Sequence, residues 1–392
     1  MVHHVPVAID EIPLAKLRDR RSVKWRTYGD DVIPAWVAEM DFTLAEPIAA
    51  ALRAAIDRSD TGYRWADEVP EVLADFTART WGWQVSPDRV MVLADVMTGI
   101  AQSLIRLTDP GDHVVINPPV YPPFFSTVRD VANRTVREVP MLETRSGYRL
   151  DLERLGEAFA EPRVRAYVLC SPHNPTGTVH TAQELATVAE LAARHDVLVI
   201  SDEIHAPMTL PGAVHTPYLS IAGDDARATA CLSASKSWNI PGLKCAQVVG
   251  TASTMPVLVE TVPIEATFGV GHFGVIGTLA AYRDGGAWLT EAIAALDSRR
   301  DQLAKGLGAI REAGHGVEMV WPEASYLAWV RVAGLGEDPA TVVLDNGKVA
   351  VNSGLPFGDI GAGYLRINYA TSQTVLAQVI EALGAVVDDR AS

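Results

Sequence analysis

A lysine that follows two small hydroxyl residues is the first candidate for covalent chemistry. Ser233, Ser235 and Lys236 lie in the sequence SASK, directly after an apolar run that ends near Leu232. A lysine amine at the carboxyl end of a strand can hold an aldehyde covalently, and neighbouring hydroxyl groups can bind a phosphate. Taken alone, the same pattern also suits a surface lysine after a serine-rich turn.

A carboxylate follows a second apolar run. The run at 197–200 leads through Ser201 to Asp202 and Glu203. Ligands of open parallel sheets bind beyond the carboxyl ends of the strands. A carboxylate at that edge can pair with a pyridinium nitrogen. The alternative for Asp202 is an ordinary helix N-cap.

An asparagine and an arginine add two more polar groups with unusual surroundings. Asn174 lies in the loop SPHNPTG, where Pro172 and Pro175 restrict the backbone. The loop is also rich in turn-forming residues, so an ordinary turn is the alternative. Arg366 stands among apolar residues in the strand-like run 363–368. A guanidinium there needs a carboxylate partner, from the protein or from a substrate.

The elements that must position these residues form an alternating pattern of strands and helices. Short apolar runs predict buried parallel strands, because they are apolar on both faces. These runs are 90–93, 113–116, 166–170, 197–200, 228–232 and 246–249. Between two of them, 181–195 predicts a helix that begins with a capping box of Thr181 and Glu184. The pattern indicates an α/β domain over residues 46–275, with a mostly parallel sheet between helices.

The last third of the chain has a different pattern. It predicts one long helix at 287–313, strands at 326–332 and 364–369, and a final helix from Thr371. We therefore expect a smaller C-terminal α/β domain over residues 276–392. The first 45 residues are interrupted by prolines, and we expect an N-terminal arm that packs with the small domain.

Composition argues against several classes of protein. The 392 residues carry 33 basic and 48 acidic side chains, a net charge of −15. This charge repels nucleic acid backbones, so no nucleic acid partner is expected. No apolar run approaches the roughly 18–20 residues that span a bilayer, so no membrane segment is expected.

The cysteines and histidines do not predict a disulfide framework or a metal site. Cys170, Cys231 and Cys245 contain no CxxC pair, and the histidines lack metal-binding spacings. The amino terminus has neither the basic nor the apolar region of a signal peptide. Together these features favour a cytoplasmic protein without a metal.

The ordered set of motifs resembles the fold-type I pyridoxal-phosphate (PLP) enzymes, the aspartate aminotransferase-like superfamily. The resemblance covers nearly the whole chain and rests on 174–177, Asp202, 233–236 and Arg366. Within that superfamily the chain is most similar to the MalY/PatB-type C–S lyases, often called cystathionine β-lyases. The motifs that carry this closer resemblance are 24–25, 36–42, 201–205, 236–239 and 242–244. The subfamily usually has aspartate where this chain has Glu39.

The resemblance implies a role for each matching residue. Lys236 would hold PLP covalently, Asp202 would pair with its ring nitrogen and Tyr121 would stack on its ring; these are the implied catalytic residues. Further cofactor contacts are implied for Asn174, Ser233, Ser235, Lys244, His205, Tyr63 and the backbone N–H groups of Val96 and Met97. Arg366 would bind the substrate α-carboxylate, with Ala38 and Tyr63 nearby.

Three functions are compatible with these residues. The resemblance implies a C–S β-lyase that converts L-cystathionine or a related cysteine S-conjugate to a thiol, pyruvate and ammonia. The alternative is a class I/II aminotransferase, but aminotransferases commonly carry tyrosine where this chain has His205. A third interpretation is a PLP-fold regulatory protein that binds a transcription factor.

The resemblance also implies an assembly. In the superfamily, the position of Tyr63 serves the cofactor phosphate of a neighbouring subunit. We therefore expect a homodimer with a composite active site. A core tyrosine after the turn at Gly62 is the alternative interpretation of the same residue.

Overall fold

The strands of the described residues form one large sheet and three smaller ones. The structure, a computed structural model, describes residues 9–144 and 147–391. Its strands are β1 (Ile33–Pro34), β2 (Val90–Leu93), β3 (His113–Ile116), β4 (Thr135–Glu138), β5 (Leu142–Thr144), β6 (Gly147–Arg149), β7 (Val164–Cys170), β8 (Leu198–Asp202), β9 (Ala228–Leu232), β10 (Ala246–Gly250), β11 (Val317–Met319), β12 (Leu327–Val332), β13 (Val349–Ala350), β14 (Asn352–Ser353) and β15 (Tyr364–Asn368).

Helices connect most of the strands. They are α1 (Leu14–Leu17), α2 (Val23–Arg26), α3 (Glu46–Asp57), α4 (Val69–Trp81), α5 (Val96–Leu107), α6 (Pro123–Ser126), α7 (Leu152–Phe159), α8 (Ala182–His195), α9 (Tyr218–Ala222), α10 (Ala234–Ser237), α11 (Met255–Thr261), α12 (His272–Asp284), α13 (Gly286–Glu312), α14 (Pro339–Gly347) and α15 (Gln373–Ala391). A π-helical turn covers Thr127–Val131, and short 3-10 turns cover Pro87–Arg89, Ala206–Met208, Ile264–Thr267, Leu355–Phe357 and Asp359–Gly361.

The large sheet is mostly parallel and buried on both faces. Its strand order is β2-β10-β9-β8-β7-β3-β4, and β4, β3, β7, β8 and β9 run parallel. Successive side chains of β7 enter different cores: Tyr167 and Leu169 pack in one, Val168 and Cys170 in the other. This alternation is the pattern of a sheet covered by helices on both sides. The predicted α/β fold is confirmed.

One strand of the large sheet was predicted wrongly. The apolar run 246–249 predicts a parallel strand, whereas β10 is antiparallel to both β9 and β2. The cause is the connection from Leu232, which passes through α10 and enters β10 at the same edge of the sheet. Ala246 therefore lies opposite Leu93. This pairing brings the start of α5, the helix α10 and the residues before β10 to one edge.

The capping box predicted for α8 is present. The hydroxyl of Thr181 accepts a hydrogen bond from the backbone N–H of Glu184 at 3.1 Å, and the Glu184 carboxylate accepts one from the backbone N–H of Thr181 at 2.8 Å. Both bonds satisfy N–H groups that a helix start leaves without partners. The helix packs through Leu185 and Val188 into the core below the sheet.

The second sheet carries the C-terminal elements. Its antiparallel order is β11-β12-β15-β14, and the predicted strands at 326–332 and 364–369 correspond to β12 and β15. The predicted long helix is α13, which packs along α15. Gly306 permits this close approach, because a Cβ atom there would lie 2.5 Å from a methyl group of Ile380.

A buried arginine ties the described part of the N-terminal segment to these elements. The Arg299 side chain in α13 is nearly inaccessible and donates to Asp10, to Glu11 and to the carbonyl of Thr371. Near the other end of the segment, β1 pairs with β13. These contacts join the described part of residues 1–45 to elements from the last third of the chain; residues 1–8 lie outside the described part.

The boundary expected at residue 275 falls within a helix. α12 continues through that position and packs against α3 and α4. The division into residues 1–45, 46–275 and 276–392 therefore stays a prediction. No helix in residues 9–144 and 147–391 is long and apolar enough to cross a membrane. The same residues contain no cluster of side chains suited to holding a metal ion.

We predict that Arg299→Met destabilises the protein by up to about 3 kcal/mol. Removing a buried guanidinium leaves its carboxylate partners uncompensated, and the partial exposure of Asp10 and Glu11 keeps the loss at the lower end of the range for buried pairs. Urea unfolding of the two proteins measures the difference.

Arg53→Met is the matched control, because the Arg53–Glu46 pair is exposed on both sides. Such pairs contribute between zero and about 1 kcal/mol. If both variants unfold at the same urea concentration, the arm is not held by Arg299.

Candidate active site

A cleft of about 240 Å³ lies where the carboxyl ends of the parallel strands meet β15. All predicted site residues except Ser233 and Tyr63 line it. The lining residues are Val37, Ala38, Asp95, Val96, Met97, Tyr121, Cys170, Asn174, Asp202, Ile204, His205, Ser235, Lys236, Pro241, Lys244 and Arg366. The topology therefore gathers residues from distant parts of the sequence at one edge of the large sheet.

Lys236 lies in the short helix α10, and its amine points into the cleft. Ser233 caps this helix by accepting from the backbone N–H of Ser235 at 3.1 Å, and its own hydroxyl donates to the carbonyl of Cys245 at 2.7 Å. Nζ of Lys236 donates to the carbonyl of Ala38 at 2.9 Å. Burial, together with the positive charge of Arg366, lowers the pKa of Lys236 to about 8.

The acceptor carbonyl belongs to a segment that is held through its backbone. Asn368 donates to the carbonyls of Val37 and Glu39, each at 2.7 Å. Asn239 both accepts from the N–H of Met40 and donates to its carbonyl, at 2.8 Å in each case. The segment 37–40 is thus clamped between β15 and the residues that follow α10.

Asp202 ends β8 as a buried carboxyl group at the floor of the cleft. Oδ1 of Asp202 accepts from the backbone N–H of Ile204 at 3.1 Å. Burial raises the pKa of Asp202 to about 7, because a charged carboxylate is poorly solvated there. A cationic ligand group at this position would restore the charged form.

The residues after Asp202 are anchored by a buried pair that the sequence analysis missed. The Glu203 carboxylate lies 3.1 Å from Nε2 of His215, and it accepts hydrogen bonds from the Ser201 hydroxyl and the Tyr218 N–H, each at 2.9 Å. His215 lies in a loop twelve residues further along the chain, so no local sequence motif predicts that it pairs with Glu203. These bonds fix the path of the chain beyond β8.

Arg366 points from the centre of β15 into the cleft and has only neutral hydrogen-bond partners. Nη1 donates to Oδ1 of Asn174 at 2.9 Å, and Nη2 donates to Oδ1 of Asn352 at 2.6 Å and to the carbonyl of Trp36 at 3.3 Å. Nε has no partner among the described residues. Burial lowers the pKa of Arg366 to about 10, which leaves the group charged at neutral pH. A carboxylate ligand would complete this site.

The start of α5 presents backbone N–H groups to one end of the cleft. The first backbone N–H groups of a helix lack intrahelical partners and bind phosphate well. Val96 and Met97 line the cleft together with Ser235 and Lys244, and their binding of a phosphate stays a prediction. Asp95, which the sequence analysis did not single out, caps the helix and pairs with Lys244 at 3.0 Å.

His205 and Tyr121 border the cleft as uncharged groups. Burial lowers the pKa of His205 to about 3, so its imidazole is neutral, and Nδ1 lies 3.1 Å from the Ser325 hydroxyl. Burial raises the pKa of Tyr121, whose phenol therefore stays protonated. Ser325 is a second residue that the sequence analysis missed, because it follows no recognisable motif.

A second cavity, of about 510 Å³, continues from the cleft past Tyr121 and Arg366. Its lining includes Tyr28, Trp36 and Phe357. Tyr28 and Trp36 meet edge to face, with ring centroids 5.9 Å apart. The cavity offers an apolar, aromatic space next to the site that suits a carboxylate.

Tyr63 lies away from this cleft. It is fully exposed in the turn that follows α3. A single chain therefore does not bring its hydroxyl to the residues discussed above.

Comparisons with known proteins match this geometry to one family. The model of the family described as aminotransferase class I and II matches residues 37–383. A Mycobacterium tuberculosis relative is 41% identical, over 96% of this chain and 97% of its own. The Bacillus subtilis protein named cystathionine beta-lyase PatB is 32% identical, over 91% of this chain and 94% of its own.

A solved structure shows the same fold. The PLP-bound C-S lyase from Staphylococcus hominis superposes with a TM-score of 0.89 at 26% identity, and covers 97% of this chain and 99% of that one. The family model alone spans far more than half of the sequence. The chain therefore belongs to the aminotransferase class I and II family, within the fold of the PLP-dependent C–S lyases.

Proposed function

We propose that this chain is a PLP-dependent C–S β-lyase that cleaves L-cystathionine or a related cysteine S-conjugate to a thiol, pyruvate and ammonia. The observation that carries the proposal is the meeting of the Lys236 amine, the buried Asp202 carboxyl group and the Arg366 guanidinium in one cleft. The relatives named as cystathionine beta-lyases favour carbon–sulfur cleavage over the other reactions of the family.

The charges and donors of the cleft fit PLP. Asp202 is a buried carboxyl group that a pyridinium nitrogen would stabilise in its charged form. The N–H groups at the start of α5 suit the phosphate, together with Ser235 and Lys244. We assign the covalent attachment to Lys236. We assign ring contacts to Tyr121, Asn174 and His205, and a supporting role to Ser233 through its capping of α10.

Different residues of the chain would remove the proton and bind the substrate during elimination. When bound, PLP supplies an electron-accepting ring that stabilises negative charge at the substrate Cα. With a pKa of about 8, part of the Lys236 amine is unprotonated near neutral pH and can take the Cα proton. The Arg366 guanidinium binds the α-carboxylate near Ala38, while Asn174 and Asn352 hold the guanidinium in place.

The same proposal includes the domain division into an arm at 1–45, a cofactor domain at 46–275 and a small domain at 276–392. The contacts of Arg299 with Asp10 and Glu11 support an arm that packs with the small domain. Arg366 and Asn352 would then reach the site from the small domain. Three buried, free cysteines agree with a reducing compartment such as the cytoplasm.

A homodimer with a composite site is part of the proposal. Exposed apolar side chains occur in two neighbouring loops, and these side chains are Tyr63, Trp65, Ile264 and Phe268. Nε of Arg64 donates to the carbonyl of Thr267 at 3.3 Å and joins the loops. Several exposed apolar side chains in neighbouring segments are typical of a protein interface. Tyr63 of one subunit would reach the cofactor phosphate of its neighbour.

The first prediction of the proposed function separates elimination from transamination. Purified protein incubated with PLP and L-cystathionine should release pyruvate, ammonia and thiol over many turnovers without any 2-oxo acid. Lys236→Ala should be folded and inactive, because the substitution removes the amine that is placed to take the Cα proton. Product that forms only when 2-oxoglutarate is supplied would identify an aminotransferase instead.

The second prediction concerns Arg366. Arg366→Ala should lower kcat/KM by about 2–4 kcal/mol in transition-state terms while the bound cofactor keeps its absorption spectrum. Arg366→Lys should recover activity only in part, because an ammonium group cannot form the forked contact with a carboxylate. Steady-state kinetics measure both effects.

Arg331→Ala is the control for this experiment. Arg331 lies on the adjacent strand β12, and its side chain is exposed on the outer side. Its loss should leave kcat/KM unchanged. Unchanged kinetics for Arg366→Ala as well would show that another residue binds the carboxylate.

The third prediction tests the composite site by mixing two inactive parents, Lys236→Ala and a Tyr63 variant that fails at limiting cofactor. In a mixed dimer, one site inherits both defects and the other inherits neither. Random pairing makes about half of the dimers mixed, so roughly a quarter of all sites should work. Activity should return after co-expression. Parental activity despite verified subunit exchange would assign Tyr63 to its own subunit or to none.

A further inference from the structure

A carboxylate lies in the part of the cleft that suits a phosphate. Asp95 directly precedes the first residues of α5, Val96 and Met97, and lines the same cleft. Lys244 is the cationic side chain beside these N–H groups. The negative charge of an acidic residue at this place repels an anionic ligand.

Both carboxylate oxygens of Asp95 have defined partners. Oδ1 accepts from the backbone N–H and from the hydroxyl of Thr98, each at 2.8 Å. Oδ2 accepts from Nζ of Lys244 at 3.0 Å. One carboxylate oxygen thus caps the helix, and the other forms an ion pair with the ammonium group of Lys244.

Asp95 is ionised at neutral pH. Partial burial raises the pKa of its carboxyl group, but the hydrogen bonds from Thr98 and Lys244 outweigh this effect, so the pKa lies below its ordinary value. The negative charge of Asp95 and the positive charge of Lys244 therefore cancel each other at close range. What remains for a phosphate is the set of helix N–H groups, the hydroxyl of Ser235 and a lysine that it must share.

We propose that Asp95 competes with the cofactor phosphate for Lys244 and thereby limits the affinity of the protein for phosphorylated cofactor. The inference rests on the proposed function, since it takes the phosphate site to be the start of α5. Asp95 holds the lysine and the helix start in place, and its negative charge makes the cofactor easier to release.

The charge of Asp95 can be removed without removing the cap. Asparagine caps helices as well as aspartate does, so Asp95→Asn keeps an acceptor for the Thr98 N–H and eliminates the negative charge. We expect this variant to bind PLP about tenfold more tightly, the scale of one additional 1.4 kcal/mol interaction. Pyridoxal, which has no phosphate, should bind equally to both proteins.

Isothermal titration of cofactor-free protein with PLP, pyridoxal and inorganic phosphate measures this difference. The deciding quantity is the ratio of the PLP and pyridoxal dissociation constants in each protein. The gain should shrink as the salt concentration rises, because added ions screen partly exposed charges. Lys244→Gln should change the ratio in the opposite direction.

Asp151→Asn is the matched control. Asp151 caps α7 by accepting from the backbone N–H of Arg154, and it also pairs with the Arg154 side chain. Its variant loses the same charge from the same kind of position outside the cleft, and its ratio should equal that of the unmodified protein.

Two outcomes would overturn the inference: weaker PLP binding by Asp95→Asn, or an unchanged ratio, which includes equal tightening of PLP and pyridoxal. Each of them leaves the proposed function intact as long as PLP binds. If the unmodified protein does not bind PLP, the proposed function fails. The titration with inorganic phosphate then decides the role of Asp95, since tighter phosphate binding by Asp95→Asn supports the competition and equal binding excludes it.

Discussion

A guanidinium that is removed from water and given only neutral partners constrains the rest of the site. Arg366 is 5% exposed, and its described hydrogen bonds go to two amide oxygens and one backbone carbonyl. Those acceptors come from the loop after β7, from β14 and from the segment before Ala38. Parts of the chain that are far apart in sequence must therefore keep their relative positions to satisfy one side chain.

Two other ionisable groups of the cleft are also buried away from water. Burial disfavours the charged forms of Asp202 and Lys236, and their pKa values move toward neutrality from opposite directions. The charged form of Asp202 is thus complementary to a cationic ligand group, and the uncharged form of the Lys236 amine is suited to an aldehyde. A charged cofactor and a zwitterionic substrate would together supply the opposite charges that the buried groups of the cleft lack among the described residues.

The sequence predicts whatever is encoded locally. The buried strands, the capping box at Thr181 and the long helix α13 follow from periodicity and end signals within a few residues. The polar residues at strand ends also meet as expected, because parallel strands share an edge. What the sequence does not reveal are pairs such as Asp95 with Lys244 and His205 with Ser325, whose members are more than a hundred residues apart. The direction of β10 was missed for the related reason that buried strands look alike in either direction.

The acceptor of the Lys236 amine has a consequence for how this enzyme can change. A main-chain oxygen provides the bond at Ala38, so substitution of that residue cannot delete the acceptor. Selection therefore acts on the side chains that set the path of the main chain. These side chains are Asn368 and Asn239, whose amides bind the main chain on both sides of Ala38. Neither faces the cleft or resembles a catalytic group. We expect natural sequence drift to tolerate variety at 38 and to be least permissive at these two amides.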